Sequence, residues 1–232
     1  MQNIIRSDVG CLLIHGFGGS PEEVAPLAKK LSEEGFKIVC PVLKGHTGVK
    51  NDLGNCTYLD WIVSAKEGLE ALRKECDKVF IVGFSMGGLI ALQLSQKYKL
   101  IGVATLNTPI YYWDFRQIAD NIKIDLINRR FDSIKRYIDS GNAHPFKSLV
   151  NFRILLSKTK RILRNTECPL FVAQALKDDT VRKASARYIL NGVSSERKVI
   201  RFYENSGHQI LKSEDAQKVM EDVLGFIKGL LG

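Results

Sequence analysis

The chain is poor in the residues that staple or metallate small proteins. Its five cysteines (Cys11, Cys40, Cys56, Cys76 and Cys168) are odd in number, scattered, and never spaced as a Cys-x-x-Cys pair. That pattern excludes a disulfide framework and a thiolate zinc site. A reduced cysteine beside a strand serves instead as a small apolar residue. The four histidines lack metal-ligand spacing, so neither a metal nor another cofactor is expected. No apolar run approaches the ~18 residues of a membrane span. The opening Met1-Gln2-Asn3-Ile4-Ile5-Arg6 lacks the basic, apolar and small-residue layout of a signal peptide, which makes a cytoplasmic location the expectation. Internal repeats, low-complexity tracts and nucleic-acid-binding motifs are missing as well.

What remains is enough for one domain with a full core: 232 residues, 45% of them apolar. The net charge of +9 is not spread evenly. Between Ile110 and Asn165 there are 12 Lys/Arg against 5 Asp/Glu, so this one stretch holds most of the excess.

The pattern along the chain alternates. Buried-strand runs are expected at Val9–Ile14, Phe36–Cys40, Val79–Val82, Ile101–Leu106, Pro169–Ala175 and Val199–Tyr203. Between them lie helical stretches: from the Ser20-Pro21-Glu22-Glu23 capping box to a stop at Gly35, from a Thr57/Asp60 cap to about Lys74, after Ser85, over Ala184–Leu190, and over Glu214–Leu231. Such alternation predicts an α/β fold: a mostly parallel sheet of about six strands, joined by right-handed crossovers and covered on both faces. The segment from Ile110 to Asn165 breaks the pattern and reads as short amphipathic helices inserted after the fourth strand. The expected organisation is core over residues 1–109, a helical insert over 110–165, and core again over 166–232.

The chemistry-bearing stretch is Val79-Phe80-Ile81-Val82-Gly83-Phe84-Ser85-Met86-Gly87-Gly88. A buried strand, a Gly-x-Ser-x-Gly turn and a helix follow one another, which is the context a nucleophile elbow requires. Small residues around Ser85 let the turn close and leave the hydroxyl at its tip. A serine hydroxyl needs a base, and the base needs an acid to fix its tautomer. Of the histidines after Ser85, His208 follows the last strand, whereas His144 lies in the insert with no strand to hold it; His208 is the expected base. Asp178 and Asp179 both follow the fifth strand, and spacing does not choose between them. Two backbone N–H groups must face the developing oxyanion. Met86, after the nucleophile, and Phe17, in the loop after the first strand, are the candidates. His15 competes as base only weakly, because it precedes Ser85 and sits where a loop-shaping residue belongs.

With these residues in place the chain resembles the α/β-hydrolase fold, and more narrowly the small bacterial carboxylesterases and monoacylglycerol lipases. The matching pieces are His15-Gly16-Phe17-Gly18-Gly19-Ser20, Lys44-Gly45-His46, the elbow, Asp178-Asp179-Thr180-Val181 and Tyr203-Glu204-Asn205-Ser206-Gly207-His208. The resemblance implies Ser85 as nucleophile, Asp178 rather than Asp179 as acid, His208 as base, and Phe17 and Met86 as oxyanion donors. It implies hydrolysis of short to medium acyl esters or monoacylglycerols. The same machinery serves thioesters, feruloyl esters or peptides, and a non-catalytic lipid-binding scaffold is the alternative from another class. Two departures stand out: only eight residues precede Val9, so a shortened sheet is expected, and Thr47 precedes Gly48 in the loop after Lys44-Gly45-His46.

The insert occupies the place of a cap. Tyr111 and Trp113 are the residues expected to line an acyl pocket. Its basic residues, among them Arg129-Arg130, Lys135-Arg136 and Lys158-Thr159-Lys160-Arg161, suit an anionic substrate or a lipid surface, although such residues more often form only a solvated helical face. The expected partner is a small-molecule ester and the expected state a monomer or homodimer, with no nucleic acid involved.

Overall fold

The computed structural model describes residues 8–48, 52–112 and 145–232. Six strands form one sheet: β1 Val9–Ile14, β2 Lys37–Val39, β3 Lys78–Phe84, β4 Gly102–Leu106, β5 Leu170–Ala175 and β6 Lys198–Tyr203. Their order is β2-β1-β3-β4-β5-β6, and every neighbouring pair is parallel. β1, β4 and β5 are buried along their whole length, as expected of central strands flanked by helices on both faces. The edge strands β2 and β6 are only partly covered.

The strand order reverses once. The chain starts in the interior at β1, steps outward to β2, then returns past β1 to β3 and continues to β6. Right-handed crossovers taken in opposite directions put their helices on opposite faces. Accordingly α1 (Ala25–Glu33) packs Leu27 and Leu31 on one face, where α6 (Ala216–Leu231) adds Val219, Val223 and Ile227. On the other face lie α2 (Tyr58–Arg73), α3 (Met86–Leu94) and α5 (Ala184–Gly192). Within β1 the two-residue period divides the core: Cys11 and Leu13 join the α1 side, Leu12 and Ile14 the other. The reversal leaves a crevice at the carboxyl ends of β1 and β3, the position where open α/β sheets bind ligands.

Of the expected insert, the described parts are residues 110–112 and 145–165. Helix α4 (Pro145–Ile162) lies against α3 and α2, with Phe152, Leu155 and Leu156 buried in the core. Two hydrogen bonds fix it there: Gln93 Nε2 donates to Thr159 Oγ1 at 3.1 Å, and the Tyr58 N–H donates to Asn151 Oδ1 at 3.1 Å. Tyr112 forms an isolated bridge with Val181, bringing the start of this segment beside the loop after β5.

One predicted cap forms and one does not. Thr57 and Asp60 make the full reciprocal box at the start of α2, with the Thr57 N–H donating to Asp60 Oδ2 at 2.8 Å. Ser20 makes no side-chain cap bond; Pro21–Glu23 is a single 3-10 turn, and α1 begins only at Ala25. The Glu23 carboxylate that the box needed is engaged elsewhere. Gly35, with φ of 87°, stops α1 as expected. Replacing Thr57 by Ala is therefore expected to lower unfolding free energy by about 1 kcal/mol, read as a shifted denaturant midpoint. An unchanged midpoint would show that the box contributes nothing.

Candidate active site

Ser85 sits where β3 turns into α3, with φ 50° and ψ −119°, a conformation L-residues adopt rarely. Close packing imposes it. A side-chain carbon at Gly83 would overlap the backbone of Gly87, and one at Gly87 would overlap the Ile14 carbonyl at the end of β1. Glycines are obligatory at both places. The Ser85 N–H donates to the Leu106 carbonyl at 2.8 Å, which pins the turn to the end of β4. Met86 is fully buried as the first residue of α3, where N–H groups have no intrahelical acceptor.

Asp178 and His208 come together from separate loops at the same sheet edge. His208 Nδ1 lies 3.1 Å and 3.0 Å from the two oxygens of the Asp178 carboxylate. Asp178 Oδ1 also accepts the N–H groups of Thr180 and Val181, each at 2.8 Å. Those bonds keep the carboxylate turned inward, while Asp179 is exposed and accepts the Thr180 hydroxyl at 3.1 Å. The His208 ring rests 5.2 Å from the ring of Phe84, the residue before Ser85. Its loop is held by Asp215, whose Oδ2 accepts the Asn205 N–H at 2.8 Å and the Ser206 hydroxyl at 2.9 Å.

The loop after β1 closes the other side. A Cβ placed on Gly16 would lie 3.3 Å from the Ser85 Cβ, so this backbone runs directly past the serine. The Gly16 N–H donates to Glu23 Oε2 at 2.9 Å, and Glu23 Oε1 accepts from Gln209 Nε2 at 2.9 Å. Glu23 thus bridges the β1 loop and the His208 loop instead of capping its helix. His15 Nε2 accepts the Leu43 N–H at 3.2 Å, so the proton rides on Nδ1, which faces the Gly16 carbonyl at 2.9 Å. His15 is a shaping residue, engaged at both nitrogens.

Phe17 opens an aromatic group. Its ring lies 5.7 Å from Trp61, 5.6 Å from Phe152 of α4 and 6.3 Å from His46, and Tyr112 stands 5.8 Å from Phe152. Tyr111, expected in this pocket, points elsewhere: its ring meets Tyr188 at 5.5 Å beneath the Lys160 ammonium. The backbone explains the difference. Tyr111 exchanges bonds with Ser185 at the start of α5, which turns its side chain outward and leaves Tyr112 facing the aromatic group. Trp113 and His144 lie outside the described residues, as do Arg129, Arg130, Lys135 and Arg136.

Glu23, Asn107, Trp61 and Phe152 were not singled out from the sequence. The signal for Glu23 was present but read as a cap, and an Asn directly after a buried strand marks Asn107 only as a strand end. Beyond Glu23 a groove of about 710 Å³ opens between the two loops, lined by Gly19, Ser20, His46, Gln209 and Lys212 among others. Among the described residues, no group of three or more His, Cys, Asp or Glu could hold a metal ion. Nor, among them, is any helix long and apolar enough to cross a membrane.

Two neutral imidazoles stand behind the β1 loop. Burial lowers the pKa of His15, and burial together with neighbouring His15, 5.0 Å away, brings His46 to about 4. In the unfolded chain a histidine takes up a proton near 6.5. Unfolding therefore binds protons below that value, and stability falls as pH drops from 6.5 toward 4. Replacing His46 by Phe is expected to flatten the fall in denaturation midpoint over this window. A slope identical to that of the wild type would place the acid sensitivity elsewhere.

The match to known families fits this geometry. The model of the alpha/beta hydrolase family covers residues 11–221. A thermostable monoacylglycerol lipase of Bacillus sp. (strain H-257) is 30% identical over 94% of this chain and 90% of its own. A carboxylesterase of Bacillus subtilis (strain 168) is 26% identical over 96% of this chain and 94% of its own. Among solved structures, one from a pair of metagenome-derived lipolytic enzymes, LipS and LipT, superposes with a TM-score of 0.81 at 21% identity, covering 96% of this chain and 94% of that one. The chain belongs to the alpha/beta hydrolase family.

Proposed function

We propose that this member of the alpha/beta hydrolase family is a serine esterase that cleaves short to medium acyl esters or monoacylglycerols through an acyl-enzyme on Ser85. The observation that carries the reading is the Asp178–His208 hydrogen bond at the sheet edge where Ser85 is held in a strained, glycine-packed turn. The lipase and esterase names of its relatives support the substrate class.

The roles follow from the atoms available. His208 Nδ1–H donates to Asp178, which leaves Nε2 as the acceptor for the Ser85 hydroxyl proton. Ser85 Oγ attacks the ester carbonyl, and the oxyanion is received by the N–H groups of Phe17 and Met86. Because the Gly16 N–H is already donated to Glu23, the next amide along that loop is the one left to serve. Collapse of the tetrahedral adduct expels the alcohol, which takes the proton from His208. Water, deprotonated by the same ring, then attacks the acyl-enzyme and returns Ser85.

Substrate placement follows from the two flanks of the site. The aromatic group of Phe17, Trp61, Phe152 and Tyr112 suits an acyl chain, and the groove that Ser20, Glu23, Gln209 and Lys212 help to line suits a departing alcohol. Residues 110–165 act as the cap of this reading, with α4 supplying Phe152 to the acyl side.

Hydrolysis of p-nitrophenyl esters from acetate to palmitate tests this. Turnover is expected to peak at one chain length and to fall by on the order of 10⁶ in Ser85→Ala. Equal rates across all lengths, or wild-type rates in the variant, would contradict it. Asp178→Asn is expected to lower kcat by roughly 10⁴, as loss of the acid in a triad does. Asp179→Asn should stay near the wild-type rate, and the reverse ranking would move the acid by one residue.

A further inference from the structure

Asn107 follows β4 with φ of 46° and is fully buried. Its carboxamide makes three hydrogen bonds, all to two other parts of the site. Its Oδ1 accepts the Ala175 N–H at 2.8 Å, at the end of the strand that leads to Asp178. Its Nδ2 donates to the carbonyls of Gly207 at 3.2 Å and His208 at 2.8 Å. Its own N–H donates to the Ala173 carbonyl at 2.9 Å, and the carbonyl just before it, that of Leu106, accepts the Ser85 N–H. Asn107 therefore ties the strand that leads to the acid to the loop that carries the base, one position after the residue that holds the nucleophile's N–H.

We propose that Asn107 is a positioning residue of the acyl-transfer reaction, its carboxamide setting the backbone from which the His208 ring reaches toward Asp178 and Ser85. This rests on the triad reading above. The residue type follows from three demands made at once. The backbone needs a side chain that tolerates positive φ, which favours Asn, Asp or Gly. The Ala175 N–H needs an acceptor, which Gly lacks. The Gly207 and His208 carbonyls need an N–H₂ donor, which Asp lacks. Asparagine alone among the twenty meets all three at this side-chain length. Freed of those bonds, the His208 loop keeps its fastening at Asp215 but loses the one at the His208 backbone itself, and small displacements of a reacting group lower the rate steeply.

Asn107→Asp separates these demands, because it keeps the φ preference and an acceptor for the Ala175 N–H but sets a carboxylate oxygen against the Gly207 and His208 carbonyls in place of the N–H₂ donor. The measurement is kcat and KM on the ester the wild type prefers, well below the unfolding midpoint of each variant, with His208→Ala in parallel. Asn107→Asp is expected to lower kcat by roughly 10- to 100-fold with KM within about twofold. The low-field proton signal of the His208–Asp178 hydrogen bond, read by NMR, should broaden or vanish in the variant. Should the aspartate variant fail to fold, Asn107→Gly keeps the backbone conformation and removes acceptor and donor together without adding a charge, and a fall in kcat at least as large is expected. A wild-type kcat and an intact low-field signal in the variant, with His208→Ala inactive, would overturn the role of Asn107 and leave the triad standing. A fully active His208→Ala would overturn the triad reading itself.

Discussion

The backbone of Ser85 is the constraint on which the candidate site depends. A serine at φ 50° costs on the order of 1–3 kcal/mol in conformational strain, and it persists only where its surroundings leave no alternative. Here Gly83 and Gly87 pack backbone against backbone, Gly87 abuts the end of β1, and the Leu106 carbonyl takes the Ser85 N–H. The strain is offset by the two buried apolar faces of the sheet, one on the α1–α6 side and one on the α2–α3–α4–α5 side. What it secures is a fixed place for the Ser85 hydroxyl at the tip of the turn, at the crevice that the strand order creates.

The other parts reach that crevice on loops, and loops alone would not hold a reacting geometry. Each is cross-tied by a polar side chain to a different element. Glu23 spans the β1 loop and the His208 loop, Asn107 spans β5 and the His208 loop, and Asp215 holds the His208 loop to the start of α6. His15 does the same between the β1 loop and Leu43. The bonds of Asn107 to Ala175 and of His15 to Leu43 are buried, where a hydrogen bond is stronger and a broken one costs more, whereas those of Glu23 are partly buried and the Asn205–Asp215 bond is exposed.

This division explains what could be read from the chain before any coordinates. Strands, helices and their order are written in local periodicity: the apolar run at Val79–Val82 and the Thr57/Asp60 box each declare an element within a few positions. The nucleophile elbow is equally local, because its packing demands two glycines within five residues. Side-chain ties between distant positions leave no such mark. Glu23 and Gln209 are 186 positions apart and Asn107 and His208 are 101 apart, so nothing in either neighbourhood announces the pairing. Glu23 even mimicked a cap residue, being three positions after a serine. Tyr111 and Tyr112 looked alike by composition, and only their backbone bonds to α5 and the bridge to Val181 decide which ring turns inward. Spacing does not distinguish Asp178 from Asp179, whereas the N–H groups of Thr180 and Val181 and the His208 ring all meet Asp178.

The most direct test of a covalent intermediate on Ser85 is fluorophosphonate labelling followed by peptide mapping by mass spectrometry. Native protein is expected to carry one adduct, on the peptide containing Ser85, and acid-unfolded protein none. Ester hydrolysis that continues in fully labelled protein, or an adduct on any other residue, would contradict the account.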